Sequence, residues 1–349
     1  MIHTMYITSK LNRTQFNEIY DSITLLSGIK PYAPDENTEQ NKIYITYYRK
    51  PEGLSRIVLR KFNTDTIQKY SIEIQLNPKR LIEKDNHTLL LQESDIIEVI
   101  QEFDDIVHEI HYEFPSFIMW KVNRIDYAVN IYTEHVKLYI ELFQRANRPN
   151  IHYDGQYSNV LNKTIQKEGS FYLISKSVRL NFYDKQKQLI GESANSEDIL
   201  SAKNILRIEV QCLRGKVNQI VRTDNDVINT ELFNFLPKEL SREIITNYFN
   251  HTIGDGDYYS LDAARKIINA QENITPSTKD KLIKHLKLIN QKTSIWKAKE
   301  LYGNNRLFNN YIKQLRAIGI NPVTIPRERE VPHLSNLKSV IIETLTPLK

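Results

Sequence analysis

The chain has a single cysteine, Cys212, in 349 residues, so no internal disulfide framework can form and a reducing, cytoplasmic setting is expected. No run of eighteen or more apolar residues occurs, and the start, MIHTMYITSK, lacks the pattern of a secretory signal, so neither a membrane partner nor export is expected. No Cys/His spacing fits zinc. No phosphate-binding loop is present either: Gly215-Lys216 is followed by Val217, where a Ser or Thr would be needed, which argues against an ATP-driven motor. His108-Glu109-Ile110-His111 has the helical spacing of a metal pair, but it reads better as the wet side of an amphipathic helix. What remains, 40% hydrophobic and 26% charged, is an ordinary globular composition, long enough for one large domain and a smaller one.

Charge of one sign is also scarce overall, but it is unevenly placed. The net charge is +5, yet 17 of the 47 basic and only 10 of the 42 acidic residues lie from Leu240 onward. Between Lys279 and Arg316 ten basic residues face only Asp280 and Glu300. Two readings stand side by side: a surface for a polyanion, where Lys and Arg release counterions from phosphates, and a merely solvated helix face.

Up to about residue 215 short two-period strands alternate with a few helices. The strands are expected at Ile43–Tyr48, Arg56–Lys61, Tyr70–Leu76, Lys121–Tyr132, Ser170–Ile174, Val178–Tyr183 and Asn204–Leu213. Ser94 is the expected cap of a helix whose apolar stripe is Ile96, Val99, Ile100, Phe103, Ile106, Val107 and Ile110, with Pro115 beyond its end. Arg13–Leu26 is a second expected helix. Beyond about residue 230 the texture turns helical, with helices at Leu261–Ala270, Ser277–Asn290, Thr293–Tyr302 and Arg306–Ile318 and no convincing strand. Gly303-Asn304-Asn305 separates the last pair, as in a helix-turn-helix or in a plain bundle. The sum is an α+β fold: a largely antiparallel central sheet with flanking helices over residues 1–235, then a basic helical region over 236–349.

Splitting each strand into its two faces exposes the chemistry. Ile72, Ile74 and Leu76 oppose Ser71, Glu73 and Gln75. Ile125, Tyr127, Val129 and Ile131 oppose Arg124, Asp126 and Asn130. Leu206, Ile208, Val210 and Cys212 oppose Arg207, Glu209 and Gln211, and Val178, Leu180 and Phe182 oppose Arg179, Asn181 and Tyr183. A half-solvated sheet also alternates in this way, but it favours Thr, Ser and Lys as readily as carboxylates. If the strands are neighbours, Glu73, Asp126 and Glu209 would crowd and repel. A hard divalent cation, Mg²⁺ or Mn²⁺, would relieve that repulsion through oxygen ligands.

The blocks VNRIDYAVN (122–130), SVRLNFYDKQKQLI (177–190) and NILRIEVQCLRGKV (204–217), in this order, resemble the filamentous-phage gene II replication initiators and their rolling-circle plasmid relatives. YSIEIQLNPKRL (70–81) and LFNNYIKQLRAIGINPVTIPR (307–327) extend the resemblance over most of the chain, although residues 220–300 and the N-terminus align poorly. It implies that Tyr183, in a Tyr-x-Lys element with Lys185, attacks a phosphodiester, and that Asp126 and Glu209, with Glu73 behind them, hold the metal. The family lacks a His-hydrophobic-His metal pair, and so does this sequence.

Together these point to a rolling-circle initiator that nicks one strand at an origin, forms a 5′-phosphotyrosine and a free 3′-hydroxyl, and later rejoins ends. The expected partners are double- and single-stranded origin DNA, with host helicase and polymerase acting after the nick. Lys176, Arg179 and Lys185 are the candidate phosphate contacts near the tyrosine, although Lys185, at the start of a charged helix, reads equally well as solvated; Lys297, Lys299, Arg306, Lys313 and Arg316 are those of the basic helices. A structural strand tyrosine is the plain alternative for Tyr183, and Tyr172 and Tyr157 are the other candidate nucleophiles. Two rival functions remain open at this point: a conjugative mobilisation relaxase with the same chemistry, and a non-catalytic DNA-binding regulator.

Overall fold

The computed structural model describes residues 1–35, 37–38, 40–64, 67–84, 86–146, 169–224 and 226–346. Its centre is an eight-stranded antiparallel sheet in the order β2-β3-β4-β1-β5-β8-β7-β6. The strands are β1 (Ile2–Leu11), β2 (Asn41–Thr46), β3 (Arg56–Asn63), β4 (Gln68–Leu76), β5 (Lys121–Tyr132), β6 (Ser170–Ile174), β7 (Val178–Asp184) and β8 (Ile205–Cys212). All but β1 were expected from alternation. β1 was missed because its alternation is broken: Ile2 pairs with Tyr127 and Thr4 with Asp126, a shift that places a β-bulge at His3. His3 and Thr4 therefore both turn away from the core, while Ile2 and Met5 are fully buried.

The helices, in chain order, are α1 (Arg13–Ser27), α2 (Lys79–Ile82), α3 (Ile96–Ile110), α4 (Val136–Arg145), α5 (Lys185–Gly191), α6 (Ser196–Ser201), α7 (Arg214–Thr223), α8 (Lys238–Thr252), α9 (Leu261–Ala270), α10 (Pro276–Lys292), α11 (Ile295–Tyr302), α12 (Asn305–Ala317) and α13 (Lys338–Leu345). α3 is not capped by Ser94. A short 3₁₀ turn, Glu93–Asp95, precedes it, and Gln92 and Asp95 form the reciprocal capping pair. Of the His108/His111 pair, His108 is exposed as expected, but His111 is buried and bonds Glu18 at 3.0 Å.

One apolar face of the sheet is covered by helices. Ile72, Ile74, Tyr127, Val129, Ile208 and Val210 share a core with Phe103 of α3, Phe143 of α4, Ile245 and Phe249 of α8 and Ile341 of α13. Each such side chain contributes about 1.5–3 kcal/mol on removal from water, so this layer fixes which face is left for chemistry. Tyr127 adds a hydrogen bond from its hydroxyl to the Phe235 carbonyl at 2.9 Å, tying the sheet to the segment that leads into α8.

A second, smaller core joins α9, α10 and α12 through Ala264, Ile268, Leu282, Leu286, Tyr311, Leu315 and Ile320. Local signals explain these helices: Ser260, Thr275 and Asn304 each cap one, and Pro276 stands at the first turn of α10. Gly303, at φ +76°, closes α11 ahead of α12. Two-residue strands also occur here, Tyr258–Tyr259 pairing with His333–Leu334, where the sequence suggested none. Among the described residues no helix is long and apolar enough to cross a membrane.

Candidate functional site

The polar face of β1, β5, β8 and β7 carries a cluster of buried charged groups. Register places Asp126 opposite Gln211, Ala128 and Asn181 opposite Glu209 from either side, and Tyr183 opposite Arg207. Residues directly opposed across a ladder share a face, so the strand periodicity delivers this set to one surface. Asp126, Asn181, Tyr183, Arg207 and Glu209 are all buried.

Glu209 is the hub. Its Oε1 accepts from Gln211 Nε2 at 2.7 Å and Asn181 Nδ2 at 3.3 Å. Its Oε2 accepts from the Tyr183 hydroxyl at 3.1 Å and faces His3 Nδ1 at 3.0 Å. His3 comes from β1, two strands away. It reaches across β5 where the polar-face residue opposite Glu209 is only Ala128, and the bulge aims it there. Burial alone would raise the Glu209 carboxyl, but His3, the bond from Gln211 and the charge of Arg207 hold it well below the usual carboxylate range. Burial in turn keeps His3 below its ordinary value despite Glu209. A neutral His3 that donates Nδ1–H to an ionised Glu209 satisfies both.

The neighbours are perturbed as well. Burial, reinforced by Glu209, pushes the Tyr183 phenol well above its ordinary value. Burial pushes the Asp126 carboxyl up to about 7, with Glu209 adding to the rise against the Arg124 guanidinium. That guanidinium grips Asp126 with a fork, Nε–Oδ1 at 2.8 Å and Nη2–Oδ2 at 2.7 Å, and stacks over the Tyr6 ring at 4.8 Å. Lys185 is not the solvated lysine its position suggested. It is 2% exposed, donates to Gln188 Oε1 at 2.7 Å, and burial followed by the charge of Arg207 brings it down to about 7. Arg207 is fully buried, bonds Asn130 Oδ1 at 2.7 Å and leaves Nη1 without a partner.

The other expected groups are placed as follows. Glu73 stands apart, because β1 intervenes between β4 and β5; Arg60 bonds its Oε1 at 3.0 Å and Asn123 its Oε2 at 3.1 Å. The expected crowding of three carboxylates therefore does not form. Arg179 is exposed on β7 opposite Gln211, and Lys176 is exposed in the turn before β7. Tyr172 lies opposite Asn181 and is half-buried, and Tyr157 lies outside the described residues. In the helices Lys297, Arg306 and Lys313 are exposed and Lys299 is half-buried. Arg316 is turned inward, donating from Nη2 to the Ile253 carbonyl at 3.2 Å.

Besides His3, two sets of groups escaped the sequence reading. Beside the cluster, the β3-β4-β1 half of the polar face holds an open groove of about 920 Å³ lined by Lys10, Arg60, Lys69, Arg124 and Arg214 together with Tyr6, Phe62 and Tyr70. Cations interleaved with aromatic rings suit a single nucleic-acid strand, whose phosphates and bases they match. The alternation of Tyr6, Thr8 and Lys10 would have found its wall had β1 been identified. On α12, Asn309 and Asn310 join Arg306 and Lys313 at i, i+3, i+4 and i+7, one exposed face around a cavity of about 680 Å³.

The donor chemistry near Asp126 suits a hard cation: two carboxylates and an imidazole on one face, one carboxyl raised by burial despite its arginine. Both carboxylates are occupied as they stand, Asp126 by Arg124 and Glu209 by its donors. Among the described residues no three His, Cys, Asp or Glu groups converge as a metal site. An ion held by Asp126 and Glu209 would therefore require Arg124 to withdraw from Asp126. In comparisons with known proteins, no family model, no curated protein and no solved structure matches the chain.

Proposed function

We propose that the protein is a nicking–closing enzyme that initiates rolling-circle DNA replication, with Tyr183 as the nucleophile. The observation that carries this reading is the Tyr183 hydroxyl hydrogen-bonded at 3.1 Å to Glu209, inside a buried polar cluster on the sheet face that also carries a basic, aromatic groove.

A single strand lies along the groove, its phosphates against Arg60, Lys69 and Arg214 and its bases against Tyr6 and Phe62. The scissile phosphate meets Tyr183, and the free Nη1 of Arg207 is a donor for its oxygen. Glu209 accepts the phenolic proton as the Tyr183 oxygen bonds phosphorus. The bond to the 3′ oxygen breaks, and that oxygen takes a proton from Lys185, whose pKa of about 7 suits a neutral-pH acid. A 5′-phosphotyrosine and a free 3′-hydroxyl result, and the reverse reaction rejoins ends. A phenol raised by burial opposite an ionised carboxylate is a poor nucleophile at rest. A divalent cation, Mg²⁺ or Mn²⁺, held by Asp126 and Glu209 would supply the positive charge that lowers it. The exposed face of α12, with α11 before it, presents Arg306, Asn309, Asn310 and Lys313 to duplex DNA in the manner of a recognition helix.

The test is nicking of a supercoiled plasmid carrying the cognate origin, with and without Mg²⁺ or Mn²⁺. The expected result is metal-dependent relaxation and a covalent adduct whose phosphotyrosine maps to Tyr183 by mass spectrometry. An adduct on Tyr172 or Tyr157, or DNA binding without cleavage, removes this mechanism.

A further inference from the structure

Across the sheet from the polar face, between α3 and α8, lies a groove of about 620 Å³ with a different character. Its floor is apolar, formed by Ile100, Ile118 and Leu236, with Phe233 at the edge 64% exposed. Its rim carries Glu93, Asp224, Asp226, Glu239 and Glu243, and among the described residues no lysine or arginine lines it. A second hollow of about 450 Å³ continues it past α7, sharing Asp224, Asp226, Leu240 and Glu243. A contiguous apolar floor rimmed by polar groups, with an exposed phenylalanine at its edge, has the make-up of an interaction site. A ring of carboxylates in a protein of net charge +5 selects against DNA and for a cation.

We infer that this groove docks a basic amphipathic helix of a partner protein. The apolar floor requires an apolar stripe on the partner, and the acidic rim requires Lys or Arg flanking that stripe. The walls are helices α3 and α8, whose backbone groups are bonded internally. They offer no strand edge to an extended peptide, so the partner must satisfy its own backbone, as a helix does. A second copy of this chain is a poorer occupant. Its most basic helix, α10, already buries Leu282, Leu286 and Ile289 in its own fold. The groove lies on the helical side of the sheet, leaving the proposed DNA face free while a partner is bound.

The probe is a fluorescent peptide of about eighteen residues with leucine at i, i+3, i+4 and i+7 and lysine on the flanks. Its controls are the same peptide with glutamate for lysine and one interrupted by proline. Anisotropy against the full chain should give saturable, salt-sensitive binding of the lysine peptide alone. Glu239→Lys with Glu243→Lys should weaken it at least about tenfold, and Phe233→Ala several-fold. Glu239 and Glu243 are exposed, so the reversal leaves the circular dichroism spectrum and plasmid nicking unchanged. Equal binding of the acidic peptide, binding indifferent to the substitutions, or no binding near about 1 mM overturns the inference. So does a dimer of the chain that the charge reversal dissociates, since the occupant would then be a second copy. No DNA enters the assay, so its outcome is separate from that of the nicking reading.

Discussion

The two basic regions of this protein use the same side chains in opposite ways. On the polar sheet face Lys185 and Arg207 are buried, and burial with like charge has moved Lys185 from the usual lysine range to about 7. On α11 and α12 Lys297, Arg306 and Lys313 stand in water. A desolvated cation is strong, directional and sensitive to pH; a solvated one is weak singly, additive in number and sensitive to salt. Catalysis at one phosphate calls for the first kind, and holding many phosphates calls for the second.

The sharpest way to break the comparison is to remove the nucleophile from the desolvated region. Tyr183→Phe should abolish nicking and the covalent adduct while leaving origin binding unchanged in a gel-shift titration. The lost hydroxyl removes a hydrogen bond of about 1 kcal/mol, too little to unfold the sheet. Glu209→Gln should lower the nicking rate by about 10²-fold or more, because it withdraws the proton acceptor. Nicking that survives in Tyr183→Phe would assign the cluster a structural role.

A smaller effect tests burial of Lys185 directly. Its folded pKa of about 7 lies below the unfolded 10.5. Between those values the unfolded chain holds a proton that the folded chain has released. Stability from this group therefore rises with pH across that window and is lost as pH falls through about 7. Asp126 runs the other way: its folded pKa of about 7 exceeds 3.8, so its contribution declines as pH rises towards 7. Lys185→Met should thus raise the melting temperature most near pH 6, with the gain shrinking by pH 9.5. A constant difference between the two proteins over that range would mean Lys185 is solvated after all.

The strands that repeat polar and apolar residues without interruption were legible, and with them the placement of Asp126, Asn181, Tyr183 and Glu209 on one face. His3 was not, because a bulge is a break in the very pattern that reveals strands. Missing β1 also put Glu73 beside Asp126, since nothing in β4 or β5 alone says that a strand intervenes. Lys185 looked solvated because it opens a polar helix, and its burial arises from tertiary neighbours that local pattern does not encode. The helices α9 to α12 were found nearly to the residue, with Gly303 marking the break between the last two. Which of their charges face water depends on packing: Arg316 occupies an i+3 position from Lys313, yet points into the turn at Gly254.

That difference within one helix gives the smallest and most discriminating prediction. Arg306→Gln with Lys313→Gln should flatten the slope of log affinity against log salt for origin DNA by nearly two units, with the melting temperature unchanged. Arg316→Gln should do the reverse. Its guanidinium is half-buried, holds the Ile253 carbonyl, and sits so close to Gly254 that a Cβ there would collide with Nη2. Losing it leaves the buried Ile253 carbonyl with only the longer bond from Asn321 Nδ2 at 3.5 Å, at a cost of about 1–3 kcal/mol, while the number of phosphate contacts stays the same. The melting temperature should fall and the salt slope should hold. If Arg316→Gln flattens the slope and spares stability, the inward arginine reaches DNA in the complex, and the division between buried and solvated cations fails where it is drawn most finely.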